Sequence, residues 1–182
     1  MNLNLKSGLI EQAIYLASPN CDARPQNTEP EAIIIHSISL PPGEYENNYV
    51  EDFFCNQLKS DDHAYFNKIA QLTVSSHFFI KRSGSLTQFV PTHMRAWHAG
   101  ESMCLGKPAV NNFSIGIELQ GLDSGSDGYT DKQYATLKEL LDCLVAAHPK
   151  IKANNLFAHS DIAPGRKIDP GPYFDWQRIY EG

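Results

Sequence analysis

The sequence predicts one α/β domain over residues 1–182, a central mixed β-sheet flanked by helices, and three stretches carry that expectation. Ala32-Ile33-Ile34-Ile35-His36-Ser37 is a β-branched run bounded by Pro30 and by Pro41-Pro42-Gly43, the pattern of a central strand buried on both faces. Phe113 to Leu119 alternates strictly: Phe113, Ile115, Ile117 and Leu119 on one face, Ser114, Gly116 and Glu118 on the other. Thr130 to Ala147 places Tyr134, Leu137, Leu140, Leu141, Leu144 and Val145 at helical spacing. A Thr130/Gln133 capping box opens that helix and Pro149 closes it.

The remaining elements follow in order. Leu9, Ile10, Ala13, Ile14 and Leu16 predict a short amphipathic helix over 7–16. Residues 18–30, rich in Pro, Asn and Asp, read as an extended arm. A helix is expected within Asn48 to Leu58 and a loop over Asp61 to Phe66. Together these make 41–71 an insertion after the first strand, either a lid or a surface excursion with its own small core. Val74 to Lys81 and Leu86 to Val90, joined by Arg82-Ser83-Gly84-Ser85, form a hairpin. Arg95 to Gly100 is a compact loop. A strand leads from Asn154 to His159, and a short final helix begins near Asp175, packing with Trp176 and Ile179.

Composition narrows the function. A chain this long buries a core without disulfides. The net charge of -6, without a cluster of Lys and Arg, speaks against a nucleic-acid surface, which needs phosphate neutralisation. No apolar run approaches the ~20 residues of a membrane span, and the first residues do not follow the secretory pattern, so a cytoplasmic location is expected. Cys21, Cys55, Cys104 and Cys143 are scattered, with no C-x-x-C pair, and are expected to be reduced thiols outside any metal site.

The chemistry concentrates near the end, in His159-Ser160-Asp161-Ile162-Ala163-Pro164-Gly165-Arg166-Lys167-Ile168-Asp169-Pro170-Gly171-Pro172. His159 and Asp169 are ordinary zinc ligands, and His36, where an apolar strand turns polar, is the best third donor. Two histidines and one carboxylate leave zinc a vacant position, as catalysis requires. The small residues leading to Glu118 suggest open space above the sheet, with the carboxylate aimed into it. Spacing alone leaves this site and a set of structural histidines both open.

The motifs resemble the zinc N-acetylmuramoyl-L-alanine amidase family, which includes phage lysozyme-type amidases and peptidoglycan recognition proteins. They are most similar to its 1,6-anhydro-muramyl branch in cell-wall recycling. The resemblance spans nearly the whole chain. It rests on Ser18-Pro19-Asn20, His36 to Glu44, Val74-Ser75-Ser76-His77, Arg95 to Gly100, Asn112 to Leu119, Tyr129-Thr130-Asp131 and the His159 to Pro172 segment.

The resemblance implies His36, His159 and Asp169 as ligands of Zn2+, Glu118 as the catalytic carboxylate and Lys167 as the charge-stabilising partner. Trp97 and Tyr65 match positions near the substrate groove, whereas His77 and His98 are not ligands in the family and take supporting hydrogen bonds. The implied substrate is a small-molecule muropeptide, cut between the lactyl group and L-alanine, by a monomer acting without nucleic acid or membrane. Ser37 replaces an Asn of the pattern, and Thr73 and Ala109 replace arginines that contact substrate; Lys107 is the nearby cation offered in compensation. Those departures put affinity and stem-peptide preference in question. Alternatives are a phage-type or periplasmic amidase acting on intact peptidoglycan, and a muropeptide-recognition module without catalysis.

Overall fold

A computed structural model of the chain describes residues 1–124 and 127–180. In chain order the first elements are β1 (Leu3–Asn4), β2 (Leu9–Ile10), β3 (Ile14–Tyr15), β4 (Cys21–Ala23), β5 (Ala32–Ile38) and α1 (Tyr49–Phe54). Then come β6 (Phe78–Ile80), β7 (Leu86–Gln88), β8 (Met94–Ala96), β9 (Met103–Cys104), β10 (Lys107–Pro108) and β11 (Ser114–Gln120). Helix α2 (Asp131–Ala147), β12 (Leu156–Ala158), α3 (His159–Ile162) and α4 (Gln177–Tyr180) complete the chain.

Six strands form the central sheet in the order β12-β5-β11-β6-β7-β3. Strands β12, β5, β11 and β6 run parallel, and β7 turns antiparallel on β6, so the sheet is mixed as expected. Strand β5 lies between two parallel neighbours, which is why Ala32 to Ile35 are apolar on both faces and buried.

Helix α2 covers one face, packing Tyr134, Leu137, Leu140, Leu141 and Leu144 against Ile33, Ile35, Ile115, Ile117 and Leu119. Val145, expected in that stripe, is 37% exposed. The capping box forms, and Gln133 adds a second role: its amide donates to the Ile80 and Gln120 carbonyls, tying the helix start to the sheet. On the opposite face Ile34 packs with Ala99, Val110 and Ile162, and His36 and Glu118 lie on this side, away from α2.

The N-terminal helix expected over 7–16 does not form. Asn4 accepts the backbone N–H of Lys6 and Ser7 through its side chain, and Gly8 turns at φ +69, donating back to the Asn4 carbonyl. That local turn chemistry outcompetes a weak helical period and produces the β1/β2 hairpin. Ile10 enters the core, while Ile14 stays exposed where β3 joins β7 at the sheet edge.

The helix in 48–58 shortens to α1 because Asn56 takes φ +57, and Asp61 to Phe66 contains two 3-10 turns. Arg95-Ala96 begins as strand β8 against β4 rather than as a loop. The insertion 41–71 packs Val50, Phe53, Phe54, Leu58 and Phe66 against Phe79, Phe89 and Val90 on the sheet, a second core of its own. The short final helix forms, starting at Gln177 rather than at Asp175, with Trp176 and Ile179 against the α2-side core.

Candidate metal centre and its cavity

Strand register creates the site. His36 and Glu118 are partners across β5 and β11, so their side chains rise from the same edge of the sheet. His159 begins α3 directly after β12, the other neighbour of β5. Asp169 returns to it through a backbone bond from the Ser160 N–H to the Asp169 carbonyl. Gly171 (φ +84) brings the following chain against Asp123: a Cβ there would stand 1.9 Å from the Asp123 carbonyl oxygen, so only glycine fits.

Three donor atoms converge. His36 Nδ1 lies 2.9 Å from His159 Nδ1, His159 Nδ1 lies 3.0 Å from Asp169 Oδ2, and His36 Nδ1 lies 3.3 Å from Asp169 Oδ2. All three residues are buried, and they form a set able to hold a metal ion. Ligand bonds of ~2.0–2.1 Å at tetrahedral angles place ligand atoms about 3.3 Å apart, so the triangle has the size of three corners of such a coordination shell.

The electrostatics suit a cation. Burial pushes the His36 imidazole down to about 4, against the pull of Asp169, so it is neutral and its lone pair available at neutral pH. Burial alone would raise the Asp169 carboxyl, but without a metal ion the His159 and His36 rings that crowd its Oδ2 outweigh burial and hold the group well below the usual carboxylate range; an ion between them would take the place of any Nδ1 proton.

Glu118 is set in the opposite state. Burial raises its carboxyl well above the ordinary range, Asp169 pushes it further up, and Lys167 opposes both. One of its oxygens, Oε2, is buried without a hydrogen-bond partner among the described residues. An unpartnered, proton-avid carboxylate beside a metal-ligand set is suited to general acid–base work.

These groups open onto a cavity of about 660 Å3. Tyr65 and Trp97 line it together with Phe53, Phe54 and Ile69, so the 41–71 insertion supplies an apolar wall, and Lys167 lines it too. The Trp97 indole N–H donates to Asp22, which also pairs with Arg95, so this ring is held from behind. Ser37 lines the cavity too, and its buried hydroxyl has no hydrogen-bond partner among the described residues.

Two expectations need correction. Lys107 is not among the cavity-lining residues: its ammonium pairs with Glu31 at 2.6 Å and lies over the Phe113 ring. The space above Gly116 is not open either, because the His98 ring fills it; a Cβ on Gly116 would stand 2.6 Å from that ring. His98 itself lines the cavity and lies within hydrogen-bond distance of His36, in keeping with the supporting role the resemblance implied for it.

Tyr129 braces the ligand loop from below. Its hydroxyl donates to the Pro170 carbonyl at 2.7 Å, one residue past Asp169. Tyr129→Phe strands that carbonyl and is expected to cost ~1–3 kcal/mol, read as a lower urea midpoint. A midpoint equal to wild type would remove this brace from the account.

The family profile for N-acetylmuramoyl-L-alanine amidase matches residues 26–172. The chain belongs to this amidase family. The 1,6-anhydro-N-acetylmuramyl-L-alanine amidase AmpD of Enterobacter cloacae is 44% identical over 176 residues, covering 97% of this chain and 92% of that protein. A crystal structure of AmpD superposes with a TM-score of 0.94 at 43% identity, covering 100% of this chain and 98% of that one. The amidase AmiD of Escherichia coli, solved with anhydro-N-acetylmuramic acid-L-Ala-D-gamma-Glu-L-Lys, is 28% identical with a TM-score of 0.62, covering 87% of this chain and 60% of AmiD.

Proposed function

We propose that this amidase is a zinc enzyme of cell-wall recycling. It hydrolyses the amide between the lactyl group of 1,6-anhydro-N-acetylmuramic acid and L-alanine in soluble muropeptides. The observation that carries the proposal is the meeting of a metal-sized His-His-Asp triangle with an unpartnered buried carboxylate at one cavity. The full-length similarity to AmpD, an enzyme named for this bond, supports the substrate. So does the anhydro-muramyl peptide bound to AmiD.

His36, His159 and Asp169 would hold the ion; two neutral imidazoles and one carboxylate are a donor set of catalytic zinc. Bound there, zinc supplies a Lewis acid and lowers the pKa of water toward ~7. The chain's own residues do the rest. Glu118 takes the proton from the attacking water, its raised affinity making it a competent base near neutrality, and returns it to the departing L-alanine nitrogen. The carbonyl oxygen gains negative charge as water adds, and Lys167 is the cation on the cavity wall that favours it. Trp97 and Tyr65 present aromatic faces to sugar or peptide, and the Ser37 hydroxyl is a hydrogen bond still to be spent. The segment 41–71 covers this end of the cavity with Phe53, Phe54, Tyr65 and Ile69. Four free cysteines accord with a reducing cytoplasm as the working compartment.

The test compares anhydro-muramyl-tripeptide with intact sacculi, before and after chelation. Peptide is expected to be released from the soluble substrate, to stop on chelation and to resume with added zinc. Equal release from sacculi would move the assignment to an amidase of intact peptidoglycan, and binding without cleavage would make the chain a recognition module.

A further inference from the structure

Two acceptors adjacent in sequence stand behind the two imidazoles of the metal centre. His159 Nε2 lies 3.2 Å from the Ala99 carbonyl oxygen, and His36 Nε2 lies 2.9 Å from His98 Nδ1. A neutral imidazole carries one proton, and a carbonyl only accepts. The proton of His159 is therefore on Nε2, and its Nδ1 lone pair faces the site.

His36 needs a longer argument, because its partner is also a histidine and either ring could donate. The direction is set two bonds further on. The Ser114 hydroxyl donates its single proton to the Val110 carbonyl at 2.7 Å. It can then only accept from His98 Nε2, 3.1 Å away. His98 so carries its proton on Nε2, leaving Nδ1 bare to accept from His36 Nε2–H. His36 is left with a free Nδ1, the atom that meets His159 and Asp169. Both chains end on a carbonyl, and both leave Nδ1 facing inward.

The segment is itself held. The Asn111 side-chain oxygen accepts both the His98 N–H at 3.1 Å and the Ala99 N–H at 2.8 Å. Gly116 clears the volume that the His98 ring occupies. Two imidazoles 123 residues apart in sequence, one on β5 and one at the start of α3, are thus aligned by one short segment.

We infer that His98 and the Ala99 carbonyl are the positioning element of the metal centre, fixing His36 and His159 as Nδ1 ligands, with the direction for His36 imposed by Ser114 and the Val110 carbonyl. This rests on the zinc reading above. Its chemistry is that of an outer hydrogen-bond partner, which fixes the tautomer and ring orientation of a ligating histidine.

The experiment reads proton positions and zinc affinity, not turnover. Nitrogen-15 imidazole NMR of the zinc-loaded full chain is expected to place the His98 proton on Nε2 with Nδ1 bare. Zinc competition against a chromophoric chelator is expected to show His98→Leu weakened about 10- to 100-fold. His98→Asn, whose side-chain oxygen replaces the Nδ1 acceptor, recovers most of that loss. A ring that merely filled space would give the opposite ranking, since leucine replaces buried volume better than asparagine. Ser114→Ala leaves the ring in place but removes the direction-setting hydroxyl, and mixed His98 tautomers are expected.

A His98 proton on Nδ1, or wild-type zinc affinity in folded His98→Leu, overturns the inference alone. A wild-type chain that takes up no zinc overturns the metal reading and this inference with it. The wild-type NMR measurement decides the matter even where a variant fails to fold.

Discussion

Glu118→Gln lowers kcat by ~10^2–10^4-fold, the range for loss of a positioned general acid–base, while zinc uptake stays at the wild-type level. Glutamine keeps the shape and removes only the proton chemistry. The same substitution makes the metal-free protein more stable at neutral pH. The sign follows from the raised carboxyl: the unfolded chain gives up this proton first as pH rises, so ionisation favours unfolding from about pH 4.3 upward, until the folded group also ionises. Glutamine never ionises and escapes that cost. Activity lost and stability gained together mark a group kept for function against its own environment. A Glu118→Gln enzyme with wild-type kcat would take Glu118 out of the reaction.

Acidification from pH 7 to pH 5 is expected to destabilise the chelator-treated protein by several kcal/mol. Burial holds His36 down at about 4, against about 6.5 in the unfolded chain. A depressed histidine contributes stability above its unfolded pKa and loses it as pH falls toward the folded one. At pH 5 the unfolded state is protonated and the folded state is not, a difference of about 2 kcal/mol for His36 alone. His77 and His98, also pushed well below the ordinary range by burial, act in the same direction. Against a total stability of ~5–15 kcal/mol that loss is large.

Two carboxyls bear on the same curve. Glu118 works oppositely, because acid relieves its buried charge; the Glu118→Gln background removes that offset. Asp169, held low, loses its contribution only in more acid solution, as pH falls below about 4. Urea titrations at pH 7 and pH 5 in both backgrounds measure the effect. Equal midpoints would mean that these imidazoles are not held neutral.

Where the chemistry of a residue and its immediate neighbours decided its place, the sequence was legible. The run Ala32 to Ile35 is apolar on both faces because β5 has parallel neighbours, and Thr130 and Gln133 cap α2 through bonds three residues apart. Residues 7–16 misled for the converse reason: five apolar residues at loosely helical spacing said less than one asparagine and one glycine that close a turn. Ala109 shows the same limit, since its left-handed φ of +56 is a conformation that an alanine does not advertise.

The identities of the candidate groups belong to the sequence alone: two histidines ending apolar runs, an aspartate followed by a proline, and a glutamate on a strand face that otherwise shows small residues. Only the folded chain decided how they meet. His36 and His159 stand 123 residues apart, and their 2.9 Å approach depends on β12 and β11 flanking β5 in the correct register. Which ring nitrogens converge with Asp169, which ring fills the gap at Gly116, and whether Lys107 reaches the cavity are likewise properties of distant partners. Local pattern records what each element needs in order to form; the pairing of donors with acceptors is settled by sheet register and packing, which no single stretch contains.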